Sequence, residues 1–306
     1  MFLVCGEALM DVFAVGDSPT GVNLDARVGG SPFNVAVGLA RLAQPVAFLG
    51  AVSRGFLGER LMRALATEGV SLAHVARSDA PTTLGLVGLD EKGVPSYSFY
   101  GEGAADRQLL PDALPTAAFR ALHFGSYTTV VEPTASTLRA LVQREHGKTL
   151  ISYDPNVRLN VQPDVARWRD HLQWMLARTD LLKISDEDLG LLMPGRSIES
   201  FAADALTQGV KLAVVTRGGE GATAWTTQAS ASVPTPKVTV IDTVGAGDTF
   251  QAALLTWLAE HDSVSPHALA ALSAEPLKDA LGFAARAAAI TCSRRGADMP
   301  RRGELG

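Results

Sequence analysis

A carboxylate set into an anion-binding turn is the most informative feature of this sequence. Val238-Thr239-Val240-Ile241-Asp242-Thr243-Val244-Gly245-Ala246-Gly247-Asp248-Thr249-Phe250 reads as a β-branched strand entering a Gly-Ala-Gly turn, with a long apolar helix directly after it. Glycines at such a junction let the backbone approach a ligand and leave successive N–H groups free. With the positive helix end they form an anion site. A carboxylate beside an anion repels it unless the carboxylate does chemistry there. Asp248 fits a base that accepts a hydroxyl proton beside a γ-phosphate. Asp is also a common helix cap, and from this turn alone the cap is the simpler reading. Neither GxxxxGK[ST] nor GxGxxG occurs, so this is no P-loop and a dinucleotide site is disfavoured.

A second polar helix start lies at Gly29-Gly30-Ser31-Pro32-Phe33-Asn34-Val35-Ala36-Val37. Gly-Gly allows a tight turn, Ser31 can cap the helix and Pro32 suits its first turn. Asn34 then has its amide at the helix end, where it can face a ligand.

The elements that must position these residues follow an alternating rhythm. Strands are expected at Phe2–Val4, Val46–Val52, Leu122–Phe124, Leu150–Tyr153, Leu181–Ile184 and Leu212–Thr216. Helices are expected at Pro32–Leu42, Phe56–Glu68, Pro133–His146, Asp164–Ala177, Ser197–Gln208, Gly247–Glu260 and Leu277–Cys292. This spacing predicts an α/β fold, a mostly parallel sheet with helices on both faces. Two segments break the rhythm: about 12–30, rich in Gly and Asp, and about 82–105, where Leu84, Leu86, Tyr97 and Phe99 alternate with smaller residues. Paired, they make a small antiparallel sheet, which needs a ligand, a second subunit or the main sheet to cover one face. That is a lid, on a single domain spanning 1–306.

Composition narrows the function class. The net charge of -5 and the lack of a basic stripe argue against nucleic acid. No run of about 18 apolar residues marks a membrane span, and the first residues lack a basic leader. Cys5 and Cys292 have no metal-ligand spacing and read as reduced thiols. A cytoplasmic location is the expectation.

Taken together, Gly-Gly-x-x-x-Asn near the start and Asp-Thr-x-Gly-Ala-Gly-Asp near the end resemble the paired signatures of the ribokinase-like (PfkB) carbohydrate kinases. The resemblance runs over nearly the whole chain. It implies a Rossmann-like sheet, a β-sheet lid, and transfer of the ATP γ-phosphate to a sugar hydroxymethyl. On the matching positions, Asp248 stands where the family has its base, and Gly245, Ala246 and Gly247 where it has its anion hole. Asp11, at the end of the first strand, matches a carboxylate that grips sugar hydroxyls, with Gly30 and Asn34 as further sugar contacts. Asp154-Pro155-Asn156-Val157-Arg158 is similar to a strand-end motif whose arginine touches phosphate; the plainer reading of Arg158 is a surface salt bridge.

Lys183-Ile184-Ser185-Asp186-Glu187-Asp188 resembles the family's Asn-x-x-Glu segment, which organises Mg²⁺ through water. Ser185 replaces the Asn and Asp188 the Glu, with Glu187 beside it; an acidic helix start capped by Ser185 is the compatible alternative. The strand-turn at Thr216, Gly218 and Gly221 is similar to the segment along ATP, or is a plain hairpin turn, and Lys183 joins it as a nucleotide contact. The 291–297 loop resembles one that, with Asp242 and Val244, holds a monovalent cation in some relatives through Thr291 and Gly296; K⁺ is the ion implied.

Gly-Gly-Ser-Pro-x-Asn-Val-Ala and Lys-x-Ser-Asp-Glu-Asp are most similar to the fructokinase branch, which implies fructose and fructose 6-phosphate. Tyr97 and Phe99 in the lid can cover a sugar face. The alternatives are a 2-keto-3-deoxygluconate kinase, with Arg107 answering the acid, a ribose or riboside kinase, and a non-catalytic sugar-binding regulator. A homodimer through the lid would cover the sheet's outer face.

Overall fold

Continuous apolar runs build the centre of the molecule. The structure, a computed structural model, describes residues 1–89 and 95–306; the side chains at 17, 89 and 95–97 lie outside that description. In chain order the strands are β1 (Phe2–Cys5), β2 (Leu9–Ser18), β3 (Gly21–Gly29), β4 (Val46–Ser53), β5 (Ser71–Ser78), β6 (Leu84–Leu89) and β7 (Pro95–Tyr100). They continue with β8 (Ala121–Gly125), β9 (Leu150–Asp154), β10 (Leu181–Ser185), β11 (Leu212–Thr216), β12 (Ala222–Trp225) and β13 (Ser230–Val233). The helices are α1 (Ser31–Arg41), α2 (Phe56–Thr67), α3 (Thr134–Glu145), α4 (Val165–Leu176), α5 (Asp186–Leu192), α6 (Ile198–Gln208), α7 (Ala246–Glu260), α8 (Pro266–Ala270) and α9 (Ala274–Cys292).

Nine strands form the main sheet in the order β13-β12-β11-β10-β9-β8-β1-β4-β5. From β11 to β5 the pairing is parallel, and β12 and β13 add an antiparallel edge. Every residue of β1, β4, β8 and β9 is buried, as a strand covered on both faces requires. One apolar core lies under α1, α2, α7 and α9; the other lies under α3, α4, α5 and α6. The mostly parallel α/β expectation is borne out. Every expected helix is present, with ends shifted by no more than three residues.

Two local expectations are corrected. Val238–Ile241 is not a strand: β13 already forms the sheet's edge, and Val238, Val240 and Ile241 are exposed. β-propensity without a partner edge does not make a strand. The second sheet is not purely antiparallel either. Its order is β3-β2-β6-β7; each segment folds into its own antiparallel hairpin, and the hairpins join through the parallel pair β2–β6. One face of this sheet sets Met10, Val12, Leu84 and Leu86 against the first core, and Leu9, Asp11, Phe13, Val87 and Phe99 line a cleft on the other.

Candidate active site

The parallel strands end along one rim, and the cleft opens there, as expected outside the carboxyl ends of an open α/β sheet. Its volume is about 670 Å³. Of the residues singled out by sequence, Asp11, Gly30, Asn34, Phe99, Arg158, Lys183, Glu187, Val244, Gly245, Gly247 and Asp248 line it. Segments near positions 11, 30, 158, 183 and 248 thus converge from five parts of the chain.

Asp248 sits in the first turn of α7, facing the first turn of α1. Its Oδ1 accepts from the Ser31 hydroxyl at 2.6 Å and its Oδ2 from the Asn34 amide at 2.8 Å. Burial pushes its carboxyl above the ordinary range, against the opposing pull of those two hydrogen bonds and of Lys183. A carboxylate of raised basicity in a cleft is suited to taking a proton. Ser31 does not cap α1: the N-cap is Gly30, with no side-chain bond, and the expected cap is corrected. Gly245 holds φ at 76°, and a Cβ there would lie 2.5 Å from the Ala297 Cβ, so the turn admits only glycine. The Ala246 N–H donates to the Thr243 carbonyl at 3.2 Å, whereas the N–H groups of Gly245 and Gly247 carry no backbone bond. Those two, not all three, point an open pair of donors at the helix start.

Asp11 lies in β2 of the small sheet, not at the end of the first strand: β1 stops at Cys5 and a bend separates the two. Gly29 stands diagonally across on β3, where a Cβ would be 2.1 Å from the Asp11 Oδ2. That glycine makes room for the carboxylate. Burial raises the Asp11 carboxyl to about 6, with Arg158 opposing the shift and Asp248 adding to it. Phe99 forms part of the apolar wall on the lid side. Tyr97 pairs with Val87 through its backbone, and its side chain lies outside the described residues. Arg158 enters none of the salt bridges among the described residues; its Nη1 donates to the Val157 carbonyl at 2.9 Å. The surface-salt-bridge reading of it is not supported.

Lys183 reaches the same place from β10. Its Nζ donates to the Asp154 Oδ2 at 2.8 Å, both side chains being buried, and lies 3.2 Å from where a Gly247 Cβ would be. Asp188 accepts from the Val157 N–H at 3.2 Å, and Ser185 caps α5 by accepting from the Asp188 N–H at 3.0 Å. Burial, then the neighbouring Asp154, raises the Asp188 carboxyl to about 6. Among the described residues no group of three His, Cys, Asp or Glu side chains is placed to hold a metal ion. A magnesium ion here would therefore be held by phosphates and water with one or two carboxylates, which is that ion's habit. The buried Asp154 Oδ1 has no hydrogen-bond partner. With Asp188 near it, it fits a hydrated cation, while Glu187 lines the cleft.

The segments expected to hold a monovalent cation do meet. However, Asp242 accepts the N–H groups of Val244 (3.0 Å) and Gly296 (2.8 Å). The Thr291 and Gly296 carbonyls accept from Arg294 and Asp298, and the Thr291 hydroxyl bonds Thr249 at 2.9 Å. Asp242 thus clamps the 291–296 loop beside the Gly245 turn. Thr216, Gly218 and Gly221 lie along the same rim but outside the cleft lining: Thr216 ends β11 beside Ser185, and Gly218 and Gly221 bracket the turn into β12.

Sequence reasoning missed Glu7, Ser126 and Tyr127, which also line the cleft. Glu7 is 1% exposed and accepts from the Thr128 hydroxyl at 2.8 Å. A Glu just past a strand reads as solvent-facing, so only its spacing of four from Asp11 carried any signal. Burial raises its carboxyl from 4.5 to about 7. The folded state then binds the Glu7 proton more tightly than the unfolded chain, so stability falls as pH rises between those values. Glu7→Gln is expected to melt like the parent below pH 4.5 and above it at pH 7 or higher. Melting curves that coincide across the range would remove this account.

Comparison with known proteins agrees with this geometry. The pfkB family carbohydrate kinase model matches residues 1–302. A fructokinase of Rhizobium leguminosarum bv. trifolii is 35% identical over 281 residues, covering 91% of this chain and 86% of that protein. The crystal structure of a Xylella fastidiosa fructokinase with bound ATP superposes with a TM-score of 0.85 at 28% identity, over 99% of this chain and 96% of that one. A Vibrio cholerae fructokinase in its fructose-, ADP- and calcium-bound form gives 0.84 at 26% identity, over 99% and 97%.

Proposed function

Because the chain belongs to the pfkB family of carbohydrate kinases, we propose that it is an ATP-dependent fructokinase, with Asp248 as the base that converts fructose to fructose 6-phosphate. The observation that carries the base is its position. Asp248 lines one cleft together with the hydroxyl-binding candidates Asp11 and Asn34 and with Gly245 and Gly247, whose N–H groups are open. A sugar held by Asp11 and Asn34 places its hydroxymethyl against the Asp248 carboxylate. The oxygen attacks the γ-phosphorus as Asp248 accepts the proton and the bond to ADP breaks. The Gly245 and Gly247 amides, with Arg158, balance charge on the moving phosphoryl group. Lys183 holds Asp154 beneath that turn, and Thr216, Gly218 and Gly221 lie along the nucleotide. The magnesium that accompanies ATP would neutralise charge at the phosphates, and Asp154 and Asp188 are the residues that would hold it through water.

Relatives that act on fructose support this substrate. A 2-keto-3-deoxygluconate kinase would need a cation for the acid group; Arg107 does not line the cleft, and its guanidinium lies 5.7 Å over the Tyr127 ring. A regulator without activity is disfavoured by the intact base and turn. The test is coupled ADP release with MgATP against fructose, 2-keto-3-deoxygluconate, ribose and ribosides. Turnover strongest with fructose is expected; turnover confined to another sugar would replace the substrate, and silence from folded protein would remove the kinase reading.

We read residues 1–306 as one kinase domain whose second sheet is the lid, working in the cytoplasm where ATP is available. The lid also suggests a homodimer. Val22 and Leu24 of β3 are 56% and 54% exposed on the face opposite the cleft, next to the part that packs on the main domain. An apolar sheet face of this kind gains from a second copy. Leu24→Glu is expected to halve the mass in solution; an unchanged mass, or a monomeric parent, would remove the lid dimer.

A further inference from the structure

The hydroxyl of Ser31 is a buried group in direct contact with the proposed base, and the transfer step gives it no task of its own. It belongs to the first turn of α1, yet it caps nothing: Gly30 occupies the N-cap, and the helix start has no side-chain cap bond. Instead it is turned across to α7 and donates to the Asp248 Oδ1 at 2.6 Å, in a buried contact between residues 217 apart in sequence. Asn34, one turn later, takes the other oxygen at 2.8 Å. Asn34 is a candidate sugar contact and has a second use; the Ser31 hydroxyl bonds the base alone.

We infer that Ser31 is a positioning residue for the base, its hydroxyl fixing the Asp248 carboxylate in one orientation and holding it in its charged form. The inference rests on the reading of Asp248 as the base. One oxygen anchored by Ser31 fixes the plane of the carboxylate. When Asn34 turns its amide to the sugar, Oδ2 is left to receive the hydroxymethyl proton while Oδ1 stays tethered. The hydrogen bond also favours the ionised carboxylate over the protonated one, which a buried base requires. Besides Ser31 and Asn34 from α1, Asp248 faces Lys183 from β10 and Asp154 from β9, and Asp11 from β2 acts on it by charge. Lys183 supports the charged form; Asp154 and Asp11 oppose it. Without Ser31 the balance shifts toward the protonated, inactive carboxyl.

The test is the pH profile of kcat/KM for Ser31→Ala, Ser31→Cys and Ser31→Thr in the ADP-release assay. Ala lacks the hydroxyl and Cys replaces it with a poor donor, so both are expected to move the acid limb upward by about one pH unit, the order of one hydrogen bond to a charged group. Their turnover should fall about tenfold on that limb and recover toward the parent at alkaline pH. KM for MgATP should not change. Thr restores the donor and should keep the parent profile. An unshifted profile in Ala or Cys, a deficit equal at every pH, or a Thr variant as impaired as Ala would overturn the role. Asp248→Asn in the same assay separates the two ideas. If it turns over at the parent rate, the base and Ser31's task fall together. If it is silent while Ser31→Ala keeps the parent profile, only Ser31's task falls.

Discussion

Asp248→Asn is expected to keep the fold and the affinity for MgATP while losing about 10²–10⁴ of its turnover, the span typical of a positioned general base. The replacement preserves shape and removes only the proton acceptor. The Ser31 hydroxyl can still donate to the amide oxygen, and the Asn34 amide must turn so that two NH₂ groups do not meet. Those adjustments are local, in the first turns of α1 and α7. Calorimetry with an ATP analogue should therefore match the parent, and thermal melts should differ little. A variant that retains turnover would show that the sugar hydroxyl loses its proton elsewhere. A variant that loses nucleotide affinity as well would show that Asp248 organises the turn rather than the proton.

The second large effect is one of stability. Lys183→Met is expected to destabilise the fold by about 3–5 kcal/mol, because it strands the Asp154 carboxylate without its cation. Both partners are buried, at 6% and 3% side-chain exposure, and the Asp154 Oδ1 already lacks a hydrogen-bond partner. Breaking one side of such a pair leaves an uncompensated charge, whereas replacing both sides with apolar groups is often neutral. Lys183→Met combined with Asp154→Leu should therefore recover much of the lost stability in urea unfolding, yet remain a poor kinase. If the single and double variants unfold together, the pair is not what holds this part of the sheet. Because Lys183 also lies beneath the Gly247 turn, the single variant should bind ATP more weakly, even at temperatures where it is folded.

The layers of the fold were legible because buried parallel strands read as mostly apolar runs, and every residue of β1, β4, β8 and β9 is buried. The start of α7 was legible for a different reason: glycines before a long apolar helix have few structural explanations, and Gly245 indeed holds a left-handed φ. The small sheet was harder. Its parallel β2–β6 pairing joins two hairpins across the intervening α1, β4, α2 and β5, and alternation within a segment says nothing about the direction of a distant partner. Val238–Ile241 misled because propensity was read without asking which edge was free, while the real edge strand, Ser230–Val233, is made of small and polar residues. Glu7 was missed and Ser31 misread for one shared reason. Each has an ordinary local task, a solvent-facing charge or a cap, and only the folded chain brings the partner that gives it another. Side chains whose meaning depends on a contact hundreds of residues away leave no local pattern.

The two helix starts that face each other across Asp248 have a consequence for how the protein is made. Ser31 and Asn34 leave the ribosome early, and Asp248 follows more than two hundred residues later. Throughout that interval a nascent chain can shape the sugar-facing half of the cleft but lacks the means to act on what enters it. The Gly245 turn is in addition braced by Ala297 and by the Asp242 clamp on Gly296, so the turn takes its shape only after those residues too have been made. Synthesis order thus separates the two halves of the site: a chain that stops before Asp248 is expected to lack its base.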